Sequence, residues 1–320
     1  MIERLKSRLG DCFQQLLLLA LLLMLIAFLG IYADFFFSMK NWINIFNNHM
    51  AHQLLLAIGM TFVISSGGID LSVASILALS GIVMGLLKTT VPIPLCIAIG
   101  LLSAAAMGMF NGLLVANFSI NPLVITLGTT SVYTGLGLIA TGGTPIYQIP
   151  LEFARIAKRT VFGLPLPVVL SAIALIVAIA LFNRTKWGQY VLTLGSNEIA
   201  LKRLGVNTKL YKVSVYALNG FLAGIASVII TSRMNVAEAT AGSGSEMSAI
   251  AAVVMGGTYL SGGKGTLLGT TIACLLLSVM KNGLTMMAVN AHWQTFIIGI
   301  ILLLAVVVTD LRQKYAAHKS

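Results

Sequence analysis

The chain has 320 residues, of which 58% are hydrophobic and only 9% charged. A soluble domain carries about 25% charged residues, so a single water-soluble globule is excluded and the bilayer is the solvent. The net charge of +11 comes from basic residues split among short loops between apolar runs. That distribution fits membrane orientation better than nucleic-acid binding.

Arg4, Lys6 and Arg8 precede the apolar run 16–30. The charge order suits a signal peptide, but no small-x-small cleavage site follows. An uncleaved first transmembrane helix is therefore expected. A span needs about 20 apolar residues. Ten segments fit: 13–33, 49–66, 71–88, 92–116, 120–140, 164–183, 211–231, 246–260, 265–287 and 292–310. The expected fold is an all-α polytopic membrane protein, a single transmembrane domain over 1–320 with about ten helices.

The stretch 51–87 must break. As one helix it would be roughly 55 Å long, against a hydrocarbon core of about 30 Å. Ser65-Ser66-Gly67-Gly68 is the natural break, with Asp70 or Ser72 capping the next helix. The phrase Gly68-Ile69-Asp70-Leu71-Ser72 returns as Gly244-Ser245-Glu246-Met247-Ser248. Met109-Phe110-Asn111-Gly112-Leu113 returns as Met280-Lys281-Asn282-Gly283-Leu284. The acid-to-asparagine spacings are 41 (70 to 111) and 36 (246 to 282) residues. With five spans between the copies, the second runs in the opposite direction. Such an inverted repeat suits alternating access.

Ten spans put both termini on one side. With the N-terminus inside, 13 of the Lys and Arg residues are cytoplasmic and 7 external. Arg155, Lys158 and Arg159, in the loop after Gly142-Gly143, are the main external dissent.

Asp70 and Glu246 stand at the edges of apolar segments. Either they line a path or gate, because a carboxylate deep in lipid faces a cavity or partner, or they cap helices near the interface. Asn111 and Asn282 either contact a hydroxylated solute or bond across helices. Gly81-Gly85, Gly108-Gly112, Gly220-Gly224 and Gly265-Gly269 have the spacing that lets helix backbones approach closely.

The longest polar connection is 184–212. Ser196 or Asn197 can cap a short helix there, Gly205 can end it, and Lys202 and Arg203 sit in its last turn. It is either an ordinary loop or a docking element for a soluble partner. Ser261-Gly262-Gly263-Lys264-Gly265-Thr266 imitates a phosphate loop but fails it: Gly265 follows the lysine, and Thr258 stands where the first glycine belongs. A tight turn is expected, and no ATPase in this chain. Cys12, Cys96 and Cys274 show neither metal spacing nor a disulfide framework. His49, His52, His292 and His318 have no partners at useful spacing. No nucleophile–base set and no metal cluster emerges, so no cofactor, no catalytic residue and no nucleic-acid partner is expected.

Four segments carry a resemblance. Residues 69–75, Ile-Asp-Leu-Ser-Val-Ala-Ser, resemble the IDLSVGS stretch of ribose-type sugar permeases, with Ala74 replacing glycine. Residues 122–129, Pro-Leu-Val-Ile-Thr-Leu-Gly-Thr, resemble their P-x-x-(I/V)-x-T-L-G-T segment. Residues 185–205 resemble the segment that contacts the ATPase, and 246–265 resemble E-x-x-A-I-A-A-V-V-x-G-G-T-x-x-x-G-G-x-G. Gln189, Ser196 and Leu201-Lys202 depart from the family pattern, which bears on the identity of the partner ATPase.

The resemblance implies the transmembrane permease subunit of an ATP-driven monosaccharide importer in a bacterial cytoplasmic membrane. A second permease subunit, cytoplasmic ATP-binding subunits and a periplasmic or surface solute-binding protein would be its partners, with membrane lipid around it. Translocation-path candidates are Asp70, Ser72, Asn111, Thr126, Glu246, Ser248 and Asn282. ATPase-docking candidates are Gly195, Ser196, Asn197, Glu198, Ala200, Gly205 and Val206. The alternatives are a permease for branched-chain amino acids or nucleosides, a stand-alone ion-coupled carrier, or a membrane enzyme. The missing acid cluster and catalytic set weigh against the last two.

Overall fold

The computed structural model describes residues 2–118, 120–290, 292–297, 299–301, 303 and 307, and side chains from residue 14 onward. Much of the last expected span, with Arg312, Lys314, Lys319 and His318, lies outside the described residues.

Helix α1 (Ile2–Tyr32) ends in a turn at Phe35, and Ser38 caps α2 (Met39–Asn44) by accepting from Asn41 N. A π turn, Ile45–Met50, continues α2 into α3 (Ala51–Ser65). Gly67, at φ +85°, breaks the chain as expected, and α4 (Val73–Leu87) follows. Prolines open α5 (Ile93–Asn117) and α6 (Pro122–Thr141), where their missing N–H costs nothing. A left-handed Gly142 ends α6. The next connection holds α7 (Leu151–Ala154) and a two-residue hairpin, β1 (Thr160–Val161) with β2 (Leu164–Pro165). Then come α8 (Leu166–Arg184), α9 (Lys186–Arg203), α10 (Thr208–Met234), α11 (Ser245–Met255) and α12 (Leu267–Met286).

Among the described residues, six helices are long and apolar enough to cross a membrane: the 14–32 part of α1, then α5, α6, α8, α10 and α12. α4, α11 and the segment His292–Ile301 are apolar but shorter. The chain is a multi-pass, all-α membrane protein.

Helix α3 is buried almost all round and forms the centre of the core with α4 and α10. α5 lies against α10 through glycines. A Cβ on Gly108 would stand 2.3 Å from Tyr216 O, and one on Gly220 would stand 2.3 Å from Ala104 O. The two small-residue faces therefore meet each other.

The connections gather at two ends of the bundle. At one, Ile146 bridges Ala237, Lys88 donates to the carbonyls of Tyr147 and Gln148, and Ser232 Oγ accepts from Ala157 N at 2.8 Å. This is the hairpin end. At the other, Lys209 Nζ donates to Asn117 Oδ1 at 2.9 Å, and Gly263 N donates to Ser65 O at 2.9 Å. The early part of α1 reaches this same end, because Gln14 Nε2 donates to Met255 O at 3.1 Å. It is the α9 end.

Candidate functional site

Asp70 is fully buried in the break between α3 and α4. Its Oδ1 accepts from Ser72 N at 3.0 Å and Ser72 Oγ at 2.6 Å, and its Oδ2 accepts from Asn219 Nδ2 at 2.9 Å. Ser72 Oγ accepts in turn from Asn111 Nδ2 at 2.6 Å, and Asn111 Oδ1 accepts from Tyr133 Oη at 3.0 Å. Tyr216 Oη and Thr126 Oγ1 both donate to Ile69 O, at 3.3 Å each. One network thus ties α4, α5, α6 and α10 to the broken strand of chain. Four path candidates, Asp70, Ser72, Asn111 and Thr126, belong to it, all buried. Tyr133, Tyr216 and Asn219 complete it. Sequence reasoning missed the two tyrosines because nothing local marks a hydroxyl that meets a distant segment, and it passed over Asn219 although Asn219-Gly220 repeats the setting of Asn111-Gly112.

Glu246 lies elsewhere, in the first turn of α11, where its charge favours the positive helix end. One carboxylate oxygen, Oε2, is buried with no hydrogen-bond partner among the described residues. The side chain lines a cavity of about 100 Å³ between α4, α6 and the chain leading to α11. Ser75, Thr130, Thr134, Thr240 and Ser243 share that lining with Glu246. This is a carboxylate among hydroxyls, a set suited to a polyol. The helical repeat Thr126, Thr130, Thr134 was legible on α6, but only the fold aims its later members at Glu246.

Ser248 donates to Gly244 O at 3.1 Å and lines a separate, larger cavity. Asn282 is buried, and its Oδ1 has no hydrogen-bond partner among the described residues. The second copies of the two phrases therefore sit on α11 and α12 without the Ser–Asn bond made by the first copies.

At the α9 end three glycine turns meet. A Cβ on Gly195 would lie 2.1 Å from Ser65 O and 2.5 Å from Gly263 N, and one on Gly262 would lie 2.8 Å from Gly67 N. Just beyond, α9 kinks at Asn197 (φ −158°, ψ 85°), whose Oδ1 accepts from Ala200 N at 2.9 Å. This cap restarts a helix of about two turns. Gly205, at φ +77°, ends it: its N donates to Lys202 O at 3.0 Å, and Val206 N donates to Leu201 O at 3.3 Å. Of the two expected caps, Asn197 acts and Ser196 does not; Ser196 Oγ donates back to Thr193 O. Gly195 is a packing residue, while Ile199 and Leu204 stand 66% and 77% exposed on this turn.

Glu198 ties the short helix to α10, accepting from Lys212 Nζ at 2.8 Å and pairing with Lys202 at 2.9 Å. Partial burial pushes its carboxyl up. The Lys212 and Lys202 ammonium groups outweigh that and hold it below the usual carboxylate range. Among the described residues, no group of three or more His, Cys, Asp or Glu could hold a metal ion.

Residues 44–306 match the family described as branched-chain amino acid transport system / permease component. The chain is 37% identical over 290 residues to the ribose import permease protein RbsC of Haemophilus influenzae, covering 89% of this chain and 90% of that one. It is 38% identical over 269 residues to RbsC of Bacillus subtilis, covering 82% and 84%. To the D-allose transport system permease protein AlsC of Escherichia coli it is 33% identical over 283 residues, covering 88% and 86%. No solved structure matches.

Proposed function

The chain belongs to the branched-chain amino acid transport system / permease component family, and from that premise we propose that it is the transmembrane permease subunit of an ATP-driven importer of a monosaccharide. The carrying observation is that relatives sharing 33–38% identity over most of their length are permeases named for ribose and allose. The Glu246 cavity supports the same solute class, since a carboxylate among hydroxyls can pair with sugar hydroxyls. The chain has no chemistry of its own. ATP hydrolysis belongs to separate cytoplasmic subunits, delivery to a solute-binding protein, and the pore to two permease subunits.

The short helix from Asn197 to Gly205 is the seat for the ATPase. It is rigidly capped at both ends, tied to α10 through Glu198, and presents Ile199 and Leu204 outward. Asp70, Ser72, Asn111 and Thr126 act as the structural hinge of the path, and Glu246 as its solute-facing acid.

The bundle crosses the membrane about ten times as an inverted repeat, with the N- and C-termini and the α9 end cytoplasmic. The pairing of α3 with α10 supports the repeat. Gln53 of α3 donates to Ser245 O at the start of α11, as Asn219 of α10 donates to Asp70 before α4. The orientation predicts that Phe162→Cys, on the exposed hairpin, labels from outside intact cells. Lys202→Cys is expected to label only after permeabilisation. The reverse pattern would overturn the topology.

The function is tested by reconstituting the permease with its ATP-binding and solute-binding partners and measuring uptake of labelled ribose, allose and leucine. Sugar uptake is expected; leucine uptake without sugar uptake would favour the amino acid reading. In the same assay Glu246→Gln is expected to cut sugar uptake by about 10- to 100-fold with assembly intact. That is the worth of one hydrogen bond to a charged group, about 1.5–3 kcal/mol. Unchanged uptake would reduce Glu246 to a helix-end charge.

A further inference from the structure

A second cavity lies apart from the one at Glu246. It measures about 600 Å³ and lies toward the hairpin end, between the π turn before α3, the start of α11, α12 and residues Thr295, Phe296, Gly299, Ile300 and Leu303. Its polar wall holds His49, His52 and Lys281, with Ser245 and Ser278. Arg233 is beside them: its guanidinium donates to Asn48 O, and its charge, like that of Lys281, acts on both histidines. His52 Nδ1 is buried without a hydrogen-bond partner among the described residues. Among the described residues, none lining the cavity is acidic and none of the four basic groups is in an ion pair.

Lys281 and Arg233 carry like charge, no carboxylate on the described wall balances it, and the imidazoles beside them can donate hydrogen bonds, so the site favours an anion. A neutral sugar supplies none. The opposite wall is apolar, formed by Met247, Leu277, Phe296, Ile300 and Leu303. Phe296 and Leu303 are 57% and 67% exposed. A free inorganic anion has no use for such a wall; an acyl chain does. The depth also fits. Trp293 is exposed beside Phe296, and Tyr32, Phe35 and Phe37 are exposed at the end of α1, just beyond Leu29, which packs on Gly283 of α12. Such aromatics mark the headgroup level of a membrane.

We propose that this cavity binds an anionic phospholipid, with the headgroup phosphate among His49, His52 and Lys281, the Arg233 charge behind them on Asn48 O, and an acyl chain along Leu277, Ile300 and Leu303. The occupant bridges α3, α11 and α12 on the external side, so it fastens the second half of the bundle.

The test uses full-length permease in nanodiscs, with native mass spectrometry and melting temperature as readouts. Phosphatidylglycerol is expected to be retained and to raise the melting temperature, and phosphatidylcholine to do neither. Lys281→Gln is expected to weaken phosphatidylglycerol retention about fivefold, and Lys281→Arg to preserve it, as a surface-level cation is worth about 1 kcal/mol to an anionic lipid. Millimolar inorganic phosphate is expected not to compete; full competition would identify a free anion as the ligand and overturn the lipid. Equal retention of both lipids by the wild-type chain would overturn the proposal without reference to any variant. So would unchanged phosphatidylglycerol retention in folded Lys281→Gln, which would leave the basic wall for an acidic partner protein.

Discussion

Gly195→Val is expected to abolish transport and to prevent the ATPase from co-purifying with the permease. The residue sits where three chain segments cross: the end of α3, the kink of α9 and the turn before α12. The first atom of any side chain would meet Ser65 O at 2.1 Å and Gly263 N at 2.5 Å. Those two atoms already bond each other at 2.9 Å. Both are backbone, so neither can swing aside, and the opposing turns must separate. Overpacking of this kind costs about 1–3 kcal/mol, and more where backbone is displaced. The displacement also lies within two residues of Asn197, so it moves the capped helix that carries Ile199 and Leu204. Gly195→Ala is expected to act in the same direction more weakly, because its Cβ alone makes the clash. Gly128→Ala, with nothing within 4 Å, serves as the neutral control. Melting temperature, ATPase co-purification and uptake would be measured together. Wild-type values for all three in Gly195→Val would mean that the junction can open freely.

The second large effect is at Asp70, where two substitutions separate hydrogen bonding from charge. Asp70→Ala leaves Ser72 N, Ser72 Oγ and Asn219 Nδ2 without their acceptor in a buried site. An unsatisfied buried group costs about 1–3 kcal/mol, so a loss of roughly 3–5 kcal/mol and failure to accumulate in the membrane are expected. Asp70→Asn is different. Its oxygen can keep both Ser72 bonds, and its amide can donate to Asn219 Oδ1 once Asn219 turns its own amide over. That oxygen has no hydrogen-bond partner among the described residues. Asp70→Asn is therefore expected to fold with nearly normal expression. If it also transports sugar, the carboxylate is a structural knot. If it folds and assembles without transporting, the charge takes part in the path. Misfolding of Asp70→Asn as severe as that of Asp70→Ala would sink the hydrogen-bond account.

Helix ends were legible in the sequence because they are set within a few residues. Gly67 breaks 51–87, Asn197 caps and Gly205 stops the short helix, and Pro92 with Pro94, Pro122 and Gly142 bound α5 and α6; each acts through one side chain or one left-handed φ. The small-residue spacing at Gly108 and Gly220 likewise marked surfaces for close approach, without saying that the two face each other. The buried network was half legible. Asp70, Ser72, Asn111 and Thr126 drew notice as polar residues in apolar surroundings; Asn219, followed by Gly220 in an apolar helix, carried the same mark and was passed over, while Tyr133 and Tyr216 carry none.

Composition and the spacing of apolar runs by themselves determined that this chain lives in a membrane and crosses it repeatedly. Only the tertiary structure decided which faces meet. In water an amphipathic stripe tells a helix which way to turn. In lipid, α3 and α4 are apolar all round, and packing, close backbone approach and a few hydrogen bonds choose their neighbours instead. That is why His49 and Lys281, more than two hundred residues apart and silent in the sequence, share one cavity, while Glu246 and Ser248, two residues apart in one phrase, face different ones.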